Sequence, residues 1–276
     1  MISAVILGQP DRVAFTVFGL DIMWYAICIV LGMVCGSAVG CARAPKYGIS
    51  SDRMLDMLLY VLPLSIFGAR AYYVLFEWGY YGQHPSEILN IRAGGLAIHG
   101  GLIVGIGVGI FLMRKWKIDP IKMLDAASAG IPLGQAIGRW GNYFNQEAHG
   151  GHTDLPWAIL VDGDTVHPTF LYESLWCLFI CLFIIWFDRK GYRKFDGQLI
   201  LIYVIMYSAE RFFVESLRTD SLMIGPLKQA QVISLACIAL ALAAWVILKK
   251  RYEKKLAAEA AAQDIKTEET EIEENA

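Results

Sequence analysis

The sequence predicts an all-α polytopic membrane protein of about seven transmembrane helices, N-terminus outside and C-terminus in the cytoplasm. Three observations predict it. Hydrophobic residues make up 56% of the 276, and only 18% are charged, where a soluble chain carries about a quarter. The shortfall is concentrated in long uncharged tracts, each near the roughly 20 apolar residues a spanning helix needs. Seventeen of the 24 Lys and Arg also fall in alternate connections or the tail, all on one side, which the positive-inside rule makes the cytoplasm.

In order, the tracts are 18–41, 54–76, 94–113, 121–138, 170–187, 198–215 and 230–248. The first passes through DIMWYAI, where Trp24 and Tyr25 suit the aromatic belt of a membrane–water interface. The second carries Arg70 in its outer half. The third, GGLAIHGGLIVGIGVG, sets His99 among glycines that let helices approach closely and also leave room for a ligand. The fourth, AASAGIPLGQAI, is short and runs into the polar stretch GRWGNYFNQE. The fifth, also short, opens in HPTFLYE, with Pro168 preorganised for a first helical turn and Glu173 just inside. The sixth ends in YSAERFFVESLR, where Tyr207, Arg211, Glu215 and Arg218 recur at helical spacing as one stripe. After the seventh, residues 249–276 turn basic and then acidic without an apolar stripe. They predict a disordered or frayed cytoplasmic tail behind a single integral-membrane domain, 1–248.

The cytoplasmic set includes Arg43, Lys46, Arg114, Lys115, Arg189 and Lys190 and is mostly lysine. The remaining basic residues are Arg12, Arg70, Arg92, Arg139, Arg211, Arg218 and Lys228, nearly all arginine. Arginine is the planar, always-charged fork suited to phosphate and carboxylate, so an anionic group is expected on the outer side. Nucleic acid is not an expected partner, because the basic residues sit in loops and form no binding face. The N-terminus lacks a basic leader and a small-residue cleavage site, and is read as part of the mature chain. The six cysteines form no CxxC pair and read as small packing residues. No His/Cys/Asp cluster has metal-ligand spacing; His149 and His152, three apart in a glycine-rich loop, come nearest.

An ionisable group near the bilayer centre costs about 2.5–3.5 kcal/mol on insertion scales, so such groups need partners or a function. Here Arg70, His99, Glu173, Arg211 and Glu215 all lie towards the outer ends of their tracts. Two readings fit Arg211 and Glu215: a self-satisfied pair holding helices together, or an arginine aimed at an anion and held by its carboxylate neighbour. His99 is likewise either a packing hydrogen-bond partner or a group facing a ligand.

The stretches GRWGNYFNQE, AIHGG (97–101), HPTFLYE (167–173) and RFFVESLRTD, with the early WY and the GAR of the second tract, together resemble the phosphatidylglycerol–prolipoprotein diacylglyceryl transferase family of bacteria. The resemblance runs from about residue 10 to 248. Tyr143 ahead of Phe144, and the segment QEAHGGHTD, depart from the family pattern.

The resemblance implies a multi-pass enzyme of the bacterial cytoplasmic membrane, its active site towards the outer face, working without a cofactor. Its substrates would be phosphatidylglycerol, a membrane lipid, and the lipobox cysteine of a prolipoprotein signal peptide. The sn-1,2-diacylglyceryl group would pass to the thiol, leaving a thioether and glycerol 1-phosphate. His99, Arg139 and Arg211 become the catalytic candidates. Tyr25, Arg70, Asn142, Asn145, Glu147, Tyr207, Glu215 and Arg218 become candidates for substrate binding, with His167, Tyr172 and Glu173 secondary. The chemistry agrees with that inventory. A thiol of pKa ~8.5 needs a base or a positive field, and an imidazole of pKa ~6.5 serves near neutrality. Arginines around the leaving phosphate would stabilise the transition state. Asn142 and Asn145 can bond phosphate or glycerol oxygens, while Glu147 and Glu215 would orient the arginines. A transporter would instead place ionisable groups at mid-depth and show paired repeats with broken helices; the sequence shows neither.

Overall fold

An apolar run in hydrocarbon becomes a helix because each backbone N–H and C=O must find its partner within the segment. In the computed structural model of the chain, the described residues are 10–91, 94–219 and 222–274, with side chains to 262; Arg92 lies outside them. Among the described residues five helices are long and apolar enough to cross a membrane: Trp24–Tyr47, Ser51–Phe76, Ile98–Trp116, Thr169–Arg189 and Gln229–Ala262. They carry Leu31, Leu59, Phe67, Ile103, Phe111, Leu182 and Leu240 at half exposure or more. In water so much apolar surface would be a liability; against lipid it is the outer face of a mostly helical, polytopic membrane protein.

The remaining two tracts differ from expectation. Tract 121–138 breaks into α5 (Pro120–Ala127) and α6 (Gly130–Asn145). Pro132, in the first turn of α6, has no N–H to donate, which suits a helix start and not a helix interior. Tract 198–215 does form a 20-residue helix, α8 (Gln198–Leu217), but Glu210, Arg211 and Glu215 crowd its last turns. The helix also stops before Arg218, whose backbone is extended, so Arg218, expected as the last member of the stripe, falls just past the helix that carries it.

Strands correct the helices-only expectation. The first tract begins late, because β1 (Val13–Val17) and β2 (Leu20–Met23) form a hairpin leading straight into α1 (Trp24–Arg43). A second hairpin joins β3 (Ile159–Val161) to β4 (Asp164–Val166) through Asp162 and Gly163, both at positive φ, as a tight hairpin turn requires. A third joins β5 (Met223–Ile224) to β6 (Leu227–Lys228). The last helix, α9 (Gln229–Glu274), carries the tail as a continuation of the span.

The chain divides into two compact units. In the unit of residues 1–36 and 128–276, α7 (Thr169–Arg189) buries Cys177, Ile180 and Ile184 completely, and all six cysteines of the chain are free thiols. Here α1 meets α6 backbone to backbone. A Cβ on Gly32 would stand 2.7 Å from the Gly134 carbonyl oxygen, and one on Gly36 would stand 2.6 Å from that of Gly130. Small residues four apart on both helices permit this contact, as in membrane helix pairs generally. The unit 37–127 is built on α2 (Ser51–Phe76) packed along α4 (Ile98–Trp116). Between them in the chain come the short α3 (Trp78–Tyr81) and a 3-10 turn, Pro85–Glu87.

Candidate active site

In the first unit, three helices converge on one buried carboxylate. Glu173, in the second turn of α7, is 2% exposed. One of its oxygens lies 2.5 Å from Arg139 Nε on α6, and the other accepts from an Arg211 guanidinium nitrogen on α8 at 2.6 Å. Arg211 turns its other terminal nitrogen to Glu215 Oε2 at 2.7 Å, one helical turn on. Arg139 also donates to the Tyr207 hydroxyl at 3.3 Å. A carboxylate this deep is tolerable only when its charge is matched and both oxygens are bonded, and two arginines do both. Each arginine side chain remains about one-fifth exposed, 22% for Arg139 and 21% for Arg211. Each fork is therefore pinned by carboxylate with N–H donors left over, an arrangement that can take an anion.

Beside this chain of charges lies a cavity of about 320 Å³, lined by Arg211, Glu215, Arg218, Leu222, Gln229, Ala230 and Ile233. The Glu215–Arg218 end is fixed by Lys228. Its ammonium donates to the carbonyls of Glu215 at 2.8 Å, Ser216 at 3.3 Å and Arg218, closing the negative end of α8 with a cation. Gln231 ties the same ends together, accepting from the Lys228 N–H at 3.0 Å and donating to the Phe212 carbonyl at 3.3 Å. Arg218 thus lines the cavity from beyond the helix.

The stretch GRWGNYFNQE makes a second polar knot. Glu147 Oε1 accepts from the side-chain amides of Asn142 at 3.0 Å and Asn145 at 3.4 Å. Glu147 therefore orients two amides, where the sequence reading had it orient arginines. Its aromatics are structural: Tyr143 stacks on Phe170, Trp140 meets the same ring edge-on, and Phe144 stacks on Trp24. The extra aromatic that departs from the family pattern is the partner of β3–β4, whose buried Ile159, Val161 and Val166 pack with Phe170 and Tyr143. Tyr25 lies over Gly141, where any Cβ would come within 2.8 Å of its ring.

The histidines of the connecting loop hold it together. His149 Nδ1 bonds the Gly150 carbonyl at 3.0 Å. His152 pairs with Asp164 at 2.7 Å, and this raises the imidazole pKa and lowers that of the carboxyl. Tyr172 takes a hydrogen bond from Trp157 at 2.9 Å and sits 3.3 Å from His167 Nδ1. Among the described residues no group of three or more His, Cys, Asp or Glu is placed to hold a metal.

In the unit 37–127, Arg70 departs from its expected role. It is 5% exposed. Its guanidinium donates to four backbone carbonyls, those of Glu87 and Ile88 at 2.8 Å and of Gly94 and Gly95 at 2.9 Å, and it lies over the Tyr81 ring. Four of its five N–H donors are engaged with the protein's own backbone, so Arg70 holds the chain at Glu87, Ile88, Gly94 and Gly95. Gly94 and Gly95 have positive φ, and a Cβ on Gly95 would strike the guanidinium and Tyr73. The loop delivers the chain into α4, where His99 is exposed in the first turn, its ring 6.2 Å from that of Tyr72 on α2.

Sequence reasoning ranked Glu173 low and left out Lys228. A lone carboxylate in the opening turns of an apolar helix demands a cation, which was the available signal for Glu173. Nothing in the sequence marks which carbonyls an isolated lysine will cap. Glu210 is 7% exposed, and among the described residues neither carboxylate oxygen has a hydrogen-bond partner.

The prolipoprotein diacylglyceryl transferase family model matches residues 12–247. A phosphatidylglycerol–prolipoprotein diacylglyceryl transferase of Clostridioides difficile is 49% identical over 249 residues, covering 90% of this chain and 100% of that protein. Proteins of the same name from Finegoldia magna and Bacillus cytotoxicus are 50% and 44% identical over 246 and 254 residues, covering 97% and 93% of their lengths and 89% and 88% of this chain. With matches over nearly its whole membrane region, and with the arginine–carboxylate chain set in the segments that match, this chain belongs to the prolipoprotein diacylglyceryl transferase family.

Proposed function

We propose that the chain transfers the diacylglyceryl group of phosphatidylglycerol to the lipobox cysteine thiol of prolipoproteins. The observation that carries the reading at residue level is the pair of half-open guanidiniums, Arg139 and Arg211, fixed by Glu173. In the reaction the thiol sulfur attacks the glycerol carbon that bears the phosphate. The C–O bond breaks, a C–S bond forms, and glycerol 1-phosphate leaves with the electron pair. Arg139 and Arg211 receive the charge that builds on the phosphate, and because they are already held in place they need not reorganise as it develops. Glu173, Glu215 and Tyr207 are positioning residues for the two forks. Arg218 borders the lipid's seat, and Asn142 and Asn145, steadied by Glu147, bond glycerol or phosphate oxygens. His99 takes the thiol proton; its ring lies 6.2 Å from that of Tyr72, and among the described residues neither ring nitrogen has a hydrogen-bond partner.

The orientation belongs to the same reading: seven spans counting α6 and α8, the N-terminus outside, the lysine-rich connections and tail in the cytoplasm, and the arginine chain at headgroup depth on the outer face of the cytoplasmic membrane. Residues 249–276 carry no part of the chemistry. The test is mass spectrometry of a lipobox peptide incubated with the protein and phosphatidylglycerol. A diacylglyceryl mass gain on the cysteine is expected; no gain from a folded preparation overturns the proposal.

A further inference from the structure

The β1–β2 hairpin takes no part in that chemistry, yet it presents the most exposed aromatic ring of the molecule. Its cross-strand pairs are Val17 with Leu20, Thr16 with Asp21, and Phe15 with Ile22. Successive pairs point to opposite faces of a hairpin. One face is therefore Phe15, Val17, Leu20 and Ile22. The other is Thr16, whose hydroxyl donates to Asp21 Oδ1 at 2.7 Å. Phe15, Val17 and Leu20 are 52%, 42% and 48% exposed, and Phe18 at the turn is exposed completely. Phe18 also sits at φ 49°, where glycine or asparagine is the low-energy choice and a bulky residue is an outlier. The fold gains nothing from that ring; the turn would be better without it.

What lies around the ring is fixed by continuity. Strand β2 ends at Met23 and α1 starts at Trp24, with no loop between, so the hairpin leaves a membrane-spanning helix at the level of Trp24 and Tyr25. Aromatic residues mark that level in membrane proteins. A segment with one apolar face and one hydrogen-bonded polar face, attached there, has the composition of an element lying in the interface plane. The apolar residues occupy the tip and one face of the hairpin. We propose that the β1–β2 hairpin is an interfacial anchor whose Phe15, Val17 and Leu20 face and Phe18 ring lie in the headgroup–acyl boundary, with Thr16 and Asp21 towards water. The occupant is phospholipid of the leaflet at the N-terminal end of α1. The anchor fixes the depth at which α1 enters the membrane, and with it the level of Tyr25 against Gly141.

Photocrosslinking tests this on the full chain in phosphatidylglycerol/phosphatidylcholine nanodiscs with a lipobox peptide added. Phe18→p-benzoylphenylalanine should acquire a phospholipid mass on the tryptic peptide holding residue 18. Asp21→p-benzoylphenylalanine should acquire several-fold less, and Leu20→p-benzoylphenylalanine should repeat the result on the apolar face. Equal lipid adducts at 18 and 21, no lipid adduct at 18, or adducts mainly to the lipobox peptide or a second copy of the chain would each overturn the anchor. None of these outcomes bears on whether the transfer reaction occurs.

Discussion

Both units of the molecule hold arginine among polar partners, and the partners differ. In residues 37–127, Arg70 bonds four main-chain carbonyls and is shut away at 5% exposure. In the other unit, Arg139 and Arg211 bond carboxylates and keep about a fifth of their side chains open. Carbonyls supply acceptors but no charge, and once they saturate a fork it has little left to offer a ligand. Carboxylates hold an arginine by charge through one or two N–H groups and leave the rest of the fork directed outward. Sequence alone gives the same residue type at similar depth in all three cases. The chemistry of the partner separates an arginine whose fork is saturated from one that keeps donors to spare.

That contrast can be broken experimentally, most severely at Arg139. Arg139→Ala should lower thioether formation by about 10²–10³-fold, about 3–4 kcal/mol of transition-state stabilisation, with helical circular dichroism unchanged because Glu173 keeps Arg211. Near-normal transfer would put Arg139 in the class of Arg70. Arg70→Met should act the other way round. It strands buried carbonyls, so it should lower stability by about 3 kcal/mol, read as a fall in thermal midpoint in detergent. If a well-folded Arg70→Met protein instead lost only activity, the scaffolding assignment would be wrong. Arg211→Lys keeps the charge but cannot serve Glu173 and Glu215 through a fork. A loss of about 1.5–3 kcal/mol is expected in the transfer rate, and an unchanged rate would show that only the charge counts. Smallest of all, deletion of residues 257–276 should leave the rate within about twofold, as surface changes usually do. A large fall would give the tail a role that neither unit predicts.

The comparison also marks what could be read in advance. Five spans were legible because uninterrupted apolar runs have one outcome in lipid. The break between α5 and α6 was hidden by its composition: Ala126, Ala127, Ser128 and Ala129 read as helix on either side of a kink. The first hairpin was hidden by its own apolar residues, which merged into the following span. The Arg211–Glu215 pair was visible, since residues four apart on a helix meet. The bridge from Glu173 to Arg139 and Arg211 was not, because it depends on α7 packing against both α6 and α8. Arg70 was misread for the same reason: its partners are backbone atoms of a loop, which carry no signature in the sequence.

The contact between α1 and α6 has a consequence for the chemistry. Gly134 lies five residues before Arg139 on the same helix, so the guanidinium is carried by a rod whose distance from α1 is set where Gly32 and Gly36 face Gly134 and Gly130. The atoms nearest to where a Cβ would stand on Gly32 or Gly36 are all backbone, and backbone cannot be repacked to absorb an error. A single methyl group added there would push the rod sideways, and the displacement would reach the 2.5 Å Arg139–Glu173 contact with nothing in between to take it up. The placing of the Arg139 guanidinium against Glu173 is, in this molecule, calibrated by hydrogen atoms a turn and a half away.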